Sequence, residues 1–308
     1  MPALPSRRHG LLAILITASS AVWPAARPAL RVGSKIDTEG VLLGQLMLQV
    51  LKAAGVPTEN RLQLGSTQIL RQALISGEID LYPEYTGNGA FLFADARHPA
   101  WRDRQAGYER ARALDLQRNR LVWLPPAPAN NGWAIAVRQD LAQRHKLQTL
   151  DDLARWLAAG GQFKLAASAE FIERQDALPA LQAAYGFKLR SEQLLSLAGG
   201  DTALTIKAAA EQISGVNGAM AYGTDGPLAA LGLVMLADPR AVQPVYAPAP
   251  LARADALARW PQIDPLLAPV FRLLDNPTLQ GLNAQIALEG RDAQQVAAVW
   301  LKSRGLLK

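Results

Sequence analysis

Short apolar runs alternate with helical spacing along most of this chain. Leu30 to Gly33 predicts a strand. Behind it Leu43, Leu46, Met47, Val50, Leu51 and Ala54 recur at the spacing of one buried helix face. Asp37 stands at the cap, Glu39 lies in the first turn near the positive end of the helix dipole, and Gly55 ends the helix. Arg61 to Leu64 predicts a second strand. A helix from Thr67 stops before Gly77, and Ile79 to Tyr82 predicts a third strand closed by Pro83. Strand–helix–strand–helix–strand order implies a parallel sheet with helices on its faces. The loops after Gly33, Leu64 and Tyr82 then share the edge at which open α/β sheets bind ligands.

Pro125-Pro126-Ala127-Pro128 interrupts the pattern, and Trp133 to Val137 restarts it as a strand. Helices are expected near 138–145, 150–159 and 202–212, with strands near 163–167 and 219–222. A second Pro-rich stretch covers Pro239 to Pro250, and helices near 262–275, 279–288 and 292–303 finish the chain. The two Pro-rich passages predict two crossings between two α/β lobes. Residues 27–128 and 240–308 would form a discontinuous lobe 1, and 129–239 lobe 2. A length of 308 residues suits two domains.

The N-terminus has a different composition. Arg7 and Arg8 precede an apolar stretch from Leu11 to Val22, and the small residues Ala25 and Ala26 follow. This reads as a secretory signal peptide over residues 1–26, too short in its apolar part for the roughly 20 residues that span a bilayer. Pro24 makes the cleavage site imperfect, and a buried N-terminal helix is the alternative. The mature chain is expected in the periplasm. Half of the residues are hydrophobic, which excludes disorder as the main state. There is no cysteine and there are only three histidines, His9, His98 and His145. Zinc hydrolase and histidine-triad chemistry fit poorly, and no cofactor or metal is called for. Of the net charge of +6, Arg7 and Arg8 account for two; the remaining +4 is spread out, and clusters such as Arg102/Arg104 and Arg110/Arg112 alternate with acids. They read as solvated helix faces rather than a nucleic-acid surface.

Three loops carry candidate chemistry. In Gly33-Ser34-Lys35-Ile36-Asp37, Lys35 sits at a strand-to-helix turn where an anion would be stabilised, unless it is a solvated lysine. Asp80-Leu81-Tyr82-Pro83-Glu84-Tyr85-Thr86-Gly87-Asn88-Gly89 is a rigid loop with an aromatic face, or else a packed turn. Asp80 and Glu84 read as hydrogen-bonding supports of that loop. Asn130-Asn131-Gly132-Trp133 follows the first crossing, where the tryptophan is either core or ligand platform. Arg174 stands near Glu170 and Asp176, with a surface ion pair as its plain reading. Tyr222 ends a strand and Tyr246 lies in the second crossing. Trp101, Trp156, Trp260 and Trp300 fall in helical patterns and read as core. No nucleophile–base pair or glycine fingerprint supports an enzyme.

The passages VGSKIDTEGVLLGQLMLQVL, LGSTQILRQALISGEIDLYPEYTGNGAF, NNGWAIAV, AEFIERQDALPALQAAYGF and AYGTDGPLAALGLVMLADP span nearly the whole mature chain. Together they resemble the substrate-binding proteins of ABC importers for osmoprotectants such as glycine betaine and choline, of the periplasmic YehZ/OsmF type. The resemblance implies a type II periplasmic-binding fold with two α/β lobes and the ligand between them. It implies an aromatic cage for a quaternary ammonium from Tyr85, Trp133, Tyr222 and Tyr246. Lys35 and Arg174 match the carboxylate-binding pair. Asn88 replaces a threonine that assists that carboxylate, and Asn131 sits near the methyl groups. The implied partners are a small quaternary amine and an ABC permease in the inner membrane, with the protein itself a monomer. Another solute, such as an amino acid or a different cation, and a receptor-coupled sensory role are the alternatives.

The chemistry of the residues agrees. A trimethylammonium group has no N–H to donate, so ring faces must attract it, at roughly 0.5–2 kcal/mol each. Four rings supply about 2–8 kcal/mol, and micromolar binding needs about 8. Charge-assisted bonds from Lys35 and Arg174 would close the gap for a carboxylate-bearing ligand.

Overall fold

Two five-stranded sheets organise the protein, a computed structural model of which describes residues 28–197 and 202–307. The expected signal peptide lies outside the described residues. The first sheet is built from β1 (Leu30–Lys35), β2 (Thr58–Gly65), β3 (Leu81–Tyr85), β4 (Leu121–Trp123) and β10 (Pro248–Arg253), in the order β2-β1-β3-β10-β4. The second contains β5 (Trp133–Arg138), β6 (Leu165–Ser168), β7 (Leu194–Leu197), β8 (Gly218–Tyr222) and β9 (Leu233–Met235), in the order β7-β6-β8-β5-β9. In the first sheet β1 runs parallel to β2 and β3, as the alternation of strands and helices predicts. The chain leaves that sheet after β4 and returns in β10, so both Pro-rich stretches carry a passage between the sheets.

Several boundaries differ from the sequence reading, each for a physical reason. The second strand starts at Thr58, ahead of Arg61; it is a largely exposed edge strand, so its polar residues face water and leave no apolar run. The third strand runs through Pro83 to Tyr85 instead of ending there. Pro83 is paired with Pro250 of antiparallel β10, so two residues without N–H groups face each other and no donor is stranded. The last residues of the second Pro-rich stretch are therefore strand. Ala54 is the exposed C-cap of helix Thr38–Ala53 and not part of its buried face. Helix Arg104–Asn119 carries the Arg110/Arg112 cluster read as a solvated helix face, whereas helices Ala169–Glu173 and Leu178–Tyr185 and strands β4, β7 and β9 were not anticipated.

Helix Thr38–Ala53 begins as its sequence dictates, with the Asp37 carboxylate accepting from the Gly40 N–H at 2.8 Å. Leu42, Leu43, Leu46, Met47 and Leu51 bury it between the first sheet and the C-terminal helices Ile263–Arg272, Asn276–Ala287 and Ala293–Ser303. Trp101, Trp260 and Trp300 are core residues, whereas Trp156 is half-buried against His145 and Phe163. The two crossings lie side by side. Asn131 donates its N–H to the Tyr246 carbonyl at 2.9 Å, and Asn130 Oδ1 accepts from the Tyr246 N–H at 2.8 Å. Gly223 packs against this junction, where an added Cβ would fall 2.0 Å from the Asn130 carbonyl oxygen.

One buried ion pair fixes the far face of the first sheet. Asp115 accepts from Arg71 Nη1 at 2.8 Å and from the Trp123 indole at 2.6 Å. Arg71 comes from helix Thr67–Ser76, so three elements meet at one carboxylate. Asp115→Ala leaves a buried guanidinium uncompensated and is expected to destabilise the protein by about 3–5 kcal/mol in urea denaturation. A loss below about 1 kcal/mol, the worth of a surface pair, would contradict this.

Candidate ligand-binding cleft

The C-terminal ends of β1, β3, β6 and β8 face a common cleft of about 600 Å³ between the two sheets. Strand direction puts it there: β1 delivers Lys35, β3 delivers Tyr85, and Asn88 follows in the next turn. Trp133 starts β5 and is paired with Tyr222 at the end of antiparallel β8, so these two rings are cross-strand neighbours. Arg174 follows the short helix after β6, and Asn131 and Tyr246 come from the adjoining crossings. All eight residues singled out in the sequence line this cleft, together with Asp37, Glu39, Glu170, Thr224, Asp225 and Asn283 among others.

The loop after β3 is held by its own acid. Glu84 is fully buried and accepts from Lys35 Nζ at 2.7 Å, the Tyr82 hydroxyl at 2.9 Å, the Tyr85 N–H at 2.8 Å and Asn88 Nδ2 at 2.7 Å. Asp80 lies at the opposite end of β3, where it accepts from Arg31 and Arg259, so it anchors the start of the strand and not the loop as the sequence suggested. Lys35 is thus neither solvated nor an unpaired anion receiver. Its ammonium lies 4.4 Å from the centroid of the Tyr85 ring. Arg174 is likewise committed, to Glu170 at 2.7 Å and to both carboxylate oxygens of Asp176 at 2.7 and 2.9 Å. Its guanidinium lies 4.4 Å from the centroid of the Trp133 ring.

Glu39 escaped the sequence reading as a site residue. It lies in the first turn of helix Thr38–Ala53 and is buried under the cleft. Its carboxylate accepts from the Tyr85 hydroxyl at 2.7 Å, from Asn131 Nδ2 at 3.1 Å and from Asn283 Nδ2 at 2.7 Å. Burial outweighs these bonds and raises its pKa from 4.5 to about 7. An acid directly after the Lys35 turn is a signal that could have marked it. Asn283 had no local signal, because it reaches Glu39 from 244 positions away in the sequence.

A profile of the family described as the substrate binding domain of ABC-type glycine betaine transport systems matches residues 28–303. The chain belongs to this family. The glycine betaine-binding protein YehZ of Escherichia coli is 62% identical over 295 residues, 96% of each chain. A glycine-betaine-binding protein of Pseudomonas aeruginosa is 31% identical over 289 residues, 92% of this chain and 90% of its own. The solved structure of apo YehZ from Escherichia coli superposes with a TM-score of 0.85 at 63% identity, covering 91% of this chain and all of that one. A glycine betaine/carnitine/choline ABC transporter structure has a TM-score of 0.81 at 20% identity, covering 91% and 100%, and attests the fold alone. The type II two-lobed architecture expected from the sequence is therefore the architecture found. The protein is a substrate-binding component of an importer and not an enzyme.

Glu39 makes folding pH-dependent. Between about 4.5 and about 7 the folded protein holds a proton that the unfolded chain has released. The stability this group contributes is complete below about 4.5 and is lost as pH rises through about 7, some ~3 kcal/mol in all. Urea denaturation at about pH 5 and about pH 8 is expected to show that loss in the wild type and not in Glu39→Gln. Parallel pH profiles of the two proteins would place the titration elsewhere.

Proposed function

We propose that the cleft captures a small quaternary-ammonium zwitterion of the glycine betaine class and that the chain delivers it to an ABC permease in the inner membrane. One observation carries this reading. Tyr85, Trp133, Tyr222 and Tyr246 converge from four segments on a cleft whose lining holds the carboxylates of Asp37, Glu170 and Asp225, with Glu39 titrating at about 7, against two cations, Lys35 and Arg174. Ring faces attract a cation that has no proton to donate, and the acidic excess favours the same sign of charge. The names of the Escherichia coli and Pseudomonas aeruginosa relatives support the same ligand class. Lys35 and Arg174 remain the groups assigned to the ligand's carboxylate, Arg174 by exchange with the exposed acids that now hold it and Lys35 as a fixed charge held by Glu84.

In this reading residues 1–26 are removed on export and the mature protein works in the periplasm as a monomer. Lobe 1 comprises residues 27–128 and 240–308, and lobe 2 residues 129–239. The paired crossings serve as the hinge, and ligand contacts made by both lobes favour the closed form.

Calorimetry of the mature chain with glycine betaine, carnitine, proline betaine and choline tests the assignment. Saturable binding of at least one of them is expected. Trp133→Ala is expected to weaken it by about five- to thirtyfold while the melting temperature stays close to wild type. Binding of amino acids alone, with no response to any quaternary amine, would replace this reading by the amino-acid one.

A further inference from the structure

Two of the ring faces assigned to the ligand already carry a cation that belongs to the protein. Lys35 lies over Tyr85 and Arg174 over Trp133, each at 4.4 Å from the ring centroid. A guanidinium on an indole uses the attraction that a trimethylammonium would use, so the two compete for one face. Each protein cation is also held by acids, but at very different depths. Glu84 is fully buried and binds three further donors, which fixes Lys35. The side chains of Glu170 and Asp176 are 59% and 56% exposed, so their bonds to Arg174 exchange with solvent at little cost.

We propose that ligand capture in this cleft is a cation exchange, in which Arg174 is the protein's own occupant of the Trp133 ring and sets specificity because an incoming ligand must both displace it and supply it with an anion. The proposal rests on the quaternary-ammonium reading of the cleft. A zwitterion completes the exchange: its ammonium takes the indole, and its carboxylate takes the guanidinium fork that Asp176 now engages with two bonds. The ring then exchanges one cation for another and the guanidinium one carboxylate for another, while the exposed Asp176 is left to water. A ligand with a cation and no carboxylate removes Arg174 from the ring and returns nothing. Preference for zwitterions then arises from what Arg174 loses and regains, rather than from an open, waiting receptor for the carboxylate.

Calorimetry with two probes, glycine betaine and tetramethylammonium, tests this on the wild type, Arg174→Gln and Asp176→Asn. Both substitutions are at partly exposed side chains, and thermal melts report whether the variants remain folded. Arg174→Gln uncovers the ring, so tetramethylammonium is expected to bind about three- to thirtyfold tighter and glycine betaine more weakly. Asp176→Asn keeps the guanidinium and loosens its anchor, so glycine betaine is expected to bind more tightly. If Arg174→Gln weakens both probes alike, or Asp176→Asn fails to tighten glycine betaine, the exchange is overturned while the ligand class stands. If neither probe binds to the wild type or to either variant while another quaternary amine does, the exchange is overturned; if no quaternary amine binds, the ligand class fails and the exchange fails with it.

Discussion

A carboxylate taken out of water without a cation beside it has to be surrounded by donors, and Glu39 is in that position. Its donors are the neutral groups of Tyr85, Asn131 and Asn283, drawn from β3, the first crossing and a C-terminal helix. Three distant parts of the chain are therefore held to one point under the cleft. The Tyr85 ring is oriented by its hydroxyl bond, and the crossing is fixed where the two sheets meet. The burial that makes this arrangement costly also raises the pKa of Glu39 to about 7, so the same node couples the cleft to pH.

Above that node the site has two layers of charge. Acids hold the basic residues, and the basic residues cover aromatic rings. Glu84 with Lys35 over Tyr85 is the buried version; Glu170 and Asp176 with Arg174 over Trp133 is the exposed version. The buried version stiffens the wall, since breaking it would strand a charge in the interior. The exposed version can rearrange. A binding protein needs both: a wall that keeps its shape in the empty state, and one group that moves when solute arrives.

Much of this was legible in the sequence because it depends on local pattern. The apolar spacing from Leu43 to Leu51 gives a buried helix, Asp37 its cap, and the strand–helix alternation a parallel sheet whose edge receives Lys35 and Tyr85. The convergence of the eight residues singled out follows from that topology together with the two crossings. What was not legible depends on partners far apart in the chain. Pro83 looks like a strand end until Pro250 is seen paired with it, and Thr58 to Asn60 look like loop until they are seen at a sheet edge. The ion pairs of Arg174 with Glu170 and Asp176 are legible locally, whereas Lys35 looks like a free cation until Glu84, 49 positions on, is seen beneath it. Side-chain commitments of this kind have no period and leave no trace in spacing.

The most direct measurement is a crystal structure of the mature protein with glycine betaine bound. The trimethylammonium is expected within about 6 Å of the Trp133 and Tyr85 ring centroids, with the Arg174 guanidinium off the indole and on the ligand carboxylate. Ligand bound away from these rings, with Arg174 still stacked on Trp133, would contradict the assignment of this cleft.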